Sequence, residues 1–477
     1  MAENLTPELC VIGAGAAGLS VASGAARLGA SVVLVEKGAM GGDRLNTGCV
    51  PSKALLACAR AVHDVRNAGR FGVSTGEVSV DFAQVKAHLH GVMRTLAEKD
   101  SAGRFEELGV QVTQGTARFT APGQIRVGET TIRARRFVIA TGGKPKIPAI
   151  EGLDQTPFLT NETIFALDRL PRHLLVLGGG ATGVELAQAF RRLGSAVTLI
   201  EAGLRILPEA DADLAAMLRD RLRDEGVDVV ENMLVTAARP AGEGAALILQ
   251  GQGGRMVEAE GSHLLLATGR MPDLEELRPD DGGIHFQDDG ILVDEGLRTN
   301  DPNVFAVGDA VAGAPRFAHV ANWHAAQVLR RMFFRLPVRL DYTEVPAVVY
   351  GDPELAWVGL DEETALRRYE DVRIERYGFA ETDRAWCDGR TEGQVKIVAT
   401  RRGKVLGAAI LGQRAGELIQ PWVAAVRGSL GLKDMAEMVV PYPTLAEASK
   451  QAAGKFFEPM VFSDKAKGVA RLLGKLP

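Results

Sequence analysis

Residues 9–36 read LCVIGAGAAGLSVASGAARLGASVVLVE, and the order of residue types in that stretch decides the fold. Residues 9–12 are a short apolar run that enters GAGAAG, placing Gly13, Gly15 and Gly18 in a G-x-G-x-x-G spacing. A helical stretch follows to about Leu28, and the apolar strand SVVLVE then ends at Glu36. Glycines at those points permit a sharp turn and a close approach of the backbone to a pyrophosphate at the helix N-terminus. A carboxylate closing the second strand accepts hydrogen bonds from ribose hydroxyls. Residues 174–201, LLVLGGGATGVELAQAFRRLGSAVTLIE, repeat the unit with Gly178, Gly180, Gly183 and Glu201. A single glycine triplet is weak evidence, because turns produce that spacing by chance. Two copies, each with a strand before and an acid after, predict two dinucleotide sites.

The echo continues downstream. RFVIATGG (136–143) and HLLLATGR (263–270) are matching strand-plus-turn segments, one after each glycine turn. DPNVFAVGD (301–309) supplies a further strand that leads to Gly308 and Asp309, an acid placed to hold a cofactor hydroxyl.

The whole-chain properties fit a soluble multidomain protein. At 477 residues the chain exceeds one hydrophobic core, and about three domains are expected. A formal net charge of −5 offers no electrostatic footprint for nucleic acid. The N-terminus has no basic segment followed by an apolar stretch, so no signal peptide is expected. No run approaches the ~20 apolar residues that span a bilayer. Four cysteines in a chain of this length make no disulfide framework and fit a reducing cytoplasm. The tail from Asp464 to Pro477 spaces Lys465, Lys467, Arg471 and Lys475 among apolar residues, and reads as a solvated terminal helix rather than a membrane contact.

Between the first glycine turn and the first ATG turn lies GGDRLNTGCVPSKALLACAR (41–60). Taken with the two turns, this segment closely resembles the flavoprotein disulfide reductases, the family of dihydrolipoamide dehydrogenase, glutathione reductase and mercuric reductase. The resemblance runs from Leu9 to about Phe457, with the motifs in family order. It implies FAD in the first site, NAD(P)H in the second, and a C-terminal domain that forms a homodimer with active sites shared between subunits. YGDPELAWVG (350–359), DRAWCDGRTEGQVKIV (383–398) and PYPTLAEASKQAA (441–453) look like landmarks of that domain.

Carried over by position, the resemblance assigns Gly13, Gly15, Gly18, Glu36, Gly42, Gly48, Thr141, Gly142, Gly308 and Asp309 to FAD. It assigns Gly178, Gly180, Gly183, Glu201 and Gly269 to the nicotinamide nucleotide. Lys53 matches the lysine beside the flavin nitrogen that accepts hydride, and Glu185 matches its ion-pair partner. A cation there stabilises negative charge on the reduced ring, and a buried lysine needs a carboxylate to remain charged. The carboxylate of Glu201 favours the free 2′-hydroxyl of NADH over the 2′-phosphate of NADPH, with Arg205 four residues on as a partial offset.

Two departures bear on the chemistry. The family's disulfide reductases carry C-x-x-x-x-C on this segment. Here Cys49 matches the flavin-side thiol, while Arg44 stands where the outer, substrate-attacking thiol belongs. An Arg cannot act as a thiolate nucleophile, although beside Cys49 it is expected to bind an anionic group or depress the thiol pKa. Cys58 lies nine residues further along a predicted helix, roughly 13 Å of rise, beyond the ~7 Å between Cα atoms that a disulfide tolerates. Cys10 reads as core packing and Cys387 as a free surface thiol. Tyr442 is the second departure: it replaces a His that pairs with a Glu five residues later, and Glu447 is retained. A phenol titrates near ~10 rather than ~6.5 and is the poorer proton shuttle at neutral pH.

His88 and His90 alternate on a polar, helical segment and carry no metal site. His319 and His324, in AHVANWHAAQVL, read as packing along the cofactor. The expected architecture is α/β, with two Rossmann-like domains and a C-terminal α+β dimerisation domain. Its bounds are 1–155 with 271–340 for FAD, 156–270 for NAD(P)H and 341–477 for the interface. The expected activity is FAD-dependent oxidation of NADH, diaphorase-like, towards a quinone, another small-molecule acceptor or a protein. A mixed-disulfide reductase using Cys49 alone, and a non-catalytic flavin sensor, are the alternatives.

Overall fold

The computed structural model describes residues 4–474. Its first parallel sheet has five strands in the spatial order Val304–Ala306, Arg136–Ile139, Leu9–Ile12, Val32–Glu36 and Val110–Gln114. All four residues of Leu9–Ile12 are buried, as a central parallel strand covered on both faces requires. Helices Ala16–Arg27 and Ala318–Phe334 pack against each other on one face, with Val21, Ala22, Ala325 and Val328 in the shared core.

The second parallel sheet repeats the arrangement with Asp228–Val230, Ala196–Ile200, His173–Leu177 and His263–Leu266. A three-stranded antiparallel sheet covers one face of it, with Val235, Leu247 and Leu249 packed on Leu175, Leu177 and Ile200. Gly143–Pro145 and Arg270–Pro272 pair as a short antiparallel ladder, which joins the two ATG turns where the chain leaves and re-enters the first sheet.

The C-terminal part is a five-stranded antiparallel sheet ordered Ala347–Val349, Glu354–Gly359, Val405–Gly412, Gln394–Thr400 and Val372–Gly378. Helix Ala446–Val461 lays Ala448, Ala452, Ala453 and Phe456 into its core. The buried Trp422 indole donates to Ser449 Oγ at 3.0 Å, so its N–H is satisfied. Two buried ion pairs bind this part to the second Rossmann-like unit. Arg192 meets Asp352 at 2.8 Å, and Lys396, 2% exposed, meets Asp211 at 2.7 Å. Arg192 is also held by Glu225 at 2.6 Å and Lys396 by Asp213 at 2.9 Å, so each buried charge has more than one partner.

The tail forms helix Asp464–Leu473, none of whose residues is buried within this chain; Lys475 lies outside the described residues. Among the described residues, no helix is long and apolar enough to cross a membrane.

Candidate functional site

The two glycine turns are geometric copies, and the reasons for their glycines separate cleanly. Gly13 (φ +106°) and Gly178 (φ +111°) lie in a region L side chains rarely enter, and a Cβ there would strike Ala140 O or Ala267 O. A Cβ on Gly18 or Gly183 would overlap the carbonyl of Gly13 or Gly178. The protein's own backbone therefore demands the first and third glycines. A Cβ on Gly15 or Gly180 would meet nothing within 4 Å, so the chain itself leaves room for a side chain there. Each caps its helix without any side-chain hydrogen bond, leaving first-turn amides free for an anion. Thr141 Oγ1 is buried without a hydrogen-bond partner, in the recess it lines with Gly13, Glu36 and Lys37. A phosphate on the Gly15 side and a polar ligand atom against Thr141 meet these needs, so the residues fit a dinucleotide such as FAD.

The acids repeat the same geometry. Glu36 accepts from Ala14 N at 2.6 Å and Gly38 N at 2.7 Å. Glu201 accepts from Gly179 N at 2.7 Å and Gly203 N at 2.6 Å. Each carboxylate oxygen keeps lone-pair capacity for a ribose hydroxyl. Gly142 (φ +71°) and Gly269 (φ +103°) occupy matching turns below them. Arg205 donates to Pro208 O at 3.0 Å and Ala210 O at 3.2 Å, so its guanidinium is committed to backbone carbonyls.

Beside the first turn, Gly42 packs so tightly on Gly15 that an added Cβ would lie 2.7 Å from Gly15 Cα. The chain forms the short helix Gly42–Asn46, passes Gly48 against Asp43, and enters helix Cys49–Arg66. Lys53, one turn beyond Cys49, reaches Glu185 Oε2 at 2.7 Å. Glu185 Oε1 accepts from Tyr350 N at 2.9 Å, and the Lys53 ammonium lies 4.5 Å from the Tyr350 ring centroid. The resemblance implies the Lys53–Glu185 pair, whereas no sequence signal points to Tyr350, which arrives from the C-terminal sheet.

Arg44 corrects an expectation. Its guanidinium pairs with Asp100 beyond the end of helix Phe82–Ala97. It thus binds an anionic group, as expected, and it still pulls the Cys49 thiol down, but burial outweighs it and the thiol is raised rather than depressed. The thiol opens to solvent, but the protein packed behind it raises its pKa by desolvation. Lys53 and Arg44 pull it down, Asp43 and Glu185 push it up, and the balance is upward. Cys58 lies on the same unbroken helix, and all four cysteines are free, with Cys10 buried and Cys387 exposed.

Asp309 follows Gly308 (φ +64°) in a short turn after Val304–Ala306. Arg270 spans the cleft here. It reaches Asp309 Oδ2 and Asp43 Oδ1, each at 3.4 Å, and donates to Gly143 O at 2.6 Å. Burial raises the Asp309 pKa, and Arg270 opposes that shift. The Gly308 amide donates to His324 Nδ1 at 3.1 Å, so Nε2 carries the imidazole proton and donates to Tyr342 OH at 3.1 Å. His324 is fully buried, and desolvation pushes its pKa down to about 4. His319 instead bonds Pro346 O at 2.8 Å and stacks on Phe317.

Tyr442 stands apart from this cluster. It is 70% exposed, and its hydroxyl donates to Asp383 Oδ2 at 2.7 Å. That hydrogen bond raises the phenol pKa above its ordinary value. Glu447, the partner that the resemblance implies, accepts from Thr444 N at 3.4 Å instead. Asp383 lies 59 residues earlier, where no local spacing points to it. His88 and His90 sit on helix Phe82–Ala97, exposed and half-buried respectively. Among the described residues, no three His, Cys, Asp or Glu side chains gather to hold a metal ion.

Comparison with known proteins agrees with this geometry. The family profile described as pyridine nucleotide-disulphide oxidoreductase matches residues 7–325, and the dimerisation-domain profile of the same family matches 345–453. A mercuric reductase of Streptomyces lividans is 38% identical over 460 residues, covering 94% of this chain and 96% of its own. A dihydrolipoyl dehydrogenase of Geobacillus stearothermophilus is 33% identical, covering 94% and 95%. Among solved structures, the HOCl-induced flavoprotein disulfide reductase RclA of Escherichia coli aligns with a TM-score of 0.83 and 27% identity, over 94% of this chain and 99% of that one.

Proposed function

Because the chain belongs to the pyridine nucleotide-disulphide oxidoreductase family, we propose that this FAD-dependent oxidoreductase takes hydride from NADH and reduces a non-dithiol acceptor, a quinone foremost. One observation carries the reading. The Lys53–Glu185 pair is assembled beside Cys49, while the side chain at the outer-thiol position is an Arg44 bound to Asp100. The hydride-accepting side thus keeps its charged pair, and the disulfide-handling side has no thiol at the outer position.

In this reading Gly13, Gly15, Gly18, Glu36, Thr141 and Asp309 would hold FAD, with Gly42 and Gly48 shaping the adjoining wall and Gly142 and Gly308 the turns. When bound, FAD supplies a ring that accepts hydride and releases electrons onward. Lys53 would place its positive charge beside that ring, and Glu185 holds the ammonium in place. Arg270 sits where it can neutralise Asp43 and Asp309 together. Gly178, Gly180, Gly183, Glu201 and Gly269 would hold the dinucleotide. The engagement of Arg205 with backbone carbonyls supports NADH over NADPH, since a 2′-phosphate would meet the Glu201 carboxylate without a free guanidinium. The partition into 1–155 with 271–340, 156–270 and 341–477 belongs to the same proposal. So does a homodimer in which Tyr442 and Asp383 face the partner's acceptor side, which the exposure of Tyr442 supports.

Stopped-flow mixing tests the reading. Flavin absorbance is expected to bleach with NADH on the millisecond-to-second scale and to return on adding a quinone. Cys49→Ser should leave that cycle unchanged. A cycle abolished by Cys49→Ser would favour the second reading, a mixed disulfide formed by Cys49, which its solvent exposure supports and its raised pKa opposes. No bleaching at saturating NADH would reject both. Arg44→Cys completes the assay: if that position faces Cys49, the oxidised variant should hold one free thiol fewer than the four of the wild-type chain.

A further inference from the structure

Tyr350 touches both members of the charged pair at the hydride-accepting site. Its backbone N–H binds Glu185 Oε1, while the other oxygen of that carboxylate takes the Lys53 ammonium. Its ring face lies 4.5 Å from the same ammonium. Tyr350 is itself anchored through its neighbour. Asp352 N donates to Gln188 Oε1 at 2.8 Å, Gln188 Nε2 returns a bond to Asp352 O at 2.9 Å, and Arg192 holds the Asp352 carboxylate at 2.8 Å. Glu185, Gln188 and Arg192 are spaced three and four residues apart on helix Ala181–Leu193, one stripe facing the 350–352 segment. The C-terminal sheet is thereby stapled to the helix that carries the partner of Lys53.

Lys53 needs such a second restraint. Its side chain is 35% exposed, and a four-carbon stem held by one carboxylate keeps freedom to swing towards water. A second carboxylate would fix the ammonium but cancel its field. An aromatic face attracts a cation through its quadrupole and adds no formal charge. We propose that Tyr350 is a positioning residue that holds the Lys53 ammonium by a cation–π contact, keeping its positive charge available to the reduced flavin. This rests on the hydride-accepting reading of Lys53 given above.

Two variants and two measurements test it on the FAD-loaded protein. Tyr350→Phe keeps the ring and the backbone amide; Tyr350→Leu keeps only the amide. The flavin midpoint potential is read by dye equilibration during reduction with dithionite, which needs no NADH. Accessibility of Lys53 is read by the rate of its acylation with an amine-reactive ester, followed by mass spectrometry. Tyr350→Leu is expected to lower the potential and to speed Lys53 acylation roughly 2- to 5-fold, the factor that a part-exposed cation–π contact represents. Tyr350→Phe is expected to match the parent on both. In a Lys53→Met background, Tyr350→Leu should shift the potential no further. Unchanged potential and labelling in Tyr350→Leu would overturn the proposal. So would a Tyr350→Phe as defective as Tyr350→Leu, since the effect would then belong to the hydroxyl. If NADH fails to reduce the parent protein, the proposed function falls, but the potential and labelling still decide the role of Tyr350.

Discussion

Lys53 and Tyr442 mark the two ends of the proposed electron path, and their surroundings differ in kind. Lys53 is held by a carboxylate that is 5% exposed and by an aromatic face, both fixed by segments from other parts of the same chain. Tyr442 is 70% exposed and makes one side-chain hydrogen bond, to Asp383, with Val439 nearby in sequence at 92% exposure. Glu185 and Tyr350, the groups that hold Lys53, both come from one chain. The acceptor end presents its groups outward, on a domain that matches a dimerisation profile, so its environment is finished by whatever covers it. Substitutions at the first end should act in any state of assembly, and those at the second should act weakly until that face is covered.

The strongest challenge to this contrast is Gly178→Ala, which drives a Cβ onto Ala267 O from a backbone at φ +111°. Reduction by NADH should fall by roughly two orders of magnitude, the cost of misplacing a reactant by about 1 Å, while FAD stays bound. Loss of FAD from this variant would show that the two nucleotide sites are not independent. Lys53→Met comes next: reduction by NADH should slow by about 100-fold, the scale of removing one preorganised charge donor, and quinone-driven reoxidation should change little. Equal slowing of both half-reactions would erase the distinction between the two ends.

Acid should find the buried side before the exposed one. His324 has a depressed folded-state pKa of about 4, so the unfolded chain binds its proton at higher pH than the folded chain does. Its stabilising contribution is therefore complete above the ordinary histidine pKa near ~6.5. It is lost progressively as pH falls through about 4, together with the Gly308 hydrogen bond. Melting temperature and flavin release, followed from pH 7 to 4, should show this loss, and His324→Asn should flatten it. The smallest effect is expected at Arg44→Ala. Losing the Asp100 pair should cost no more than about 1 kcal/mol by denaturant titration and should leave reduction by NADH intact. A large loss of reduction rate would place Arg44 in the chemistry after all.

Much of the site was legible before folding because its parts recur at short, regular spacing. Gly13, Gly15, Gly18 and Glu36 lie within one strand–turn–helix–strand unit, and Cys49 and Lys53 fall one helical turn apart. The missed residues share the opposite property. Tyr350 meets Glu185 across 165 positions, Arg270 meets Asp309 across 39, and Asp383 meets Tyr442 across 59. No periodicity links such pairs, since sheet order and the return of the chain bring them together. From the sequence alone His324 reads as packing. Its hold on Gly308 depends on which ring nitrogen faces an amide, and that orientation exists only once helix Ala318–Phe334 docks beside the turn.

The roles of Lys53, Glu185 and position 44 came from the family resemblance, while the sequence by itself determined the two nucleotide turns and the identity of each residue on the 41–60 segment. These are matters of residue identity and local backbone geometry, which do not wait for long-range contacts. Only the tertiary structure decided where Arg44 points, that Cys49 is raised rather than depressed, and that Tyr442 bonds Asp383 instead of Glu447. Charge, desolvation and hydrogen bonding depend on which distant groups arrive within a few ångströms, and that is settled by packing.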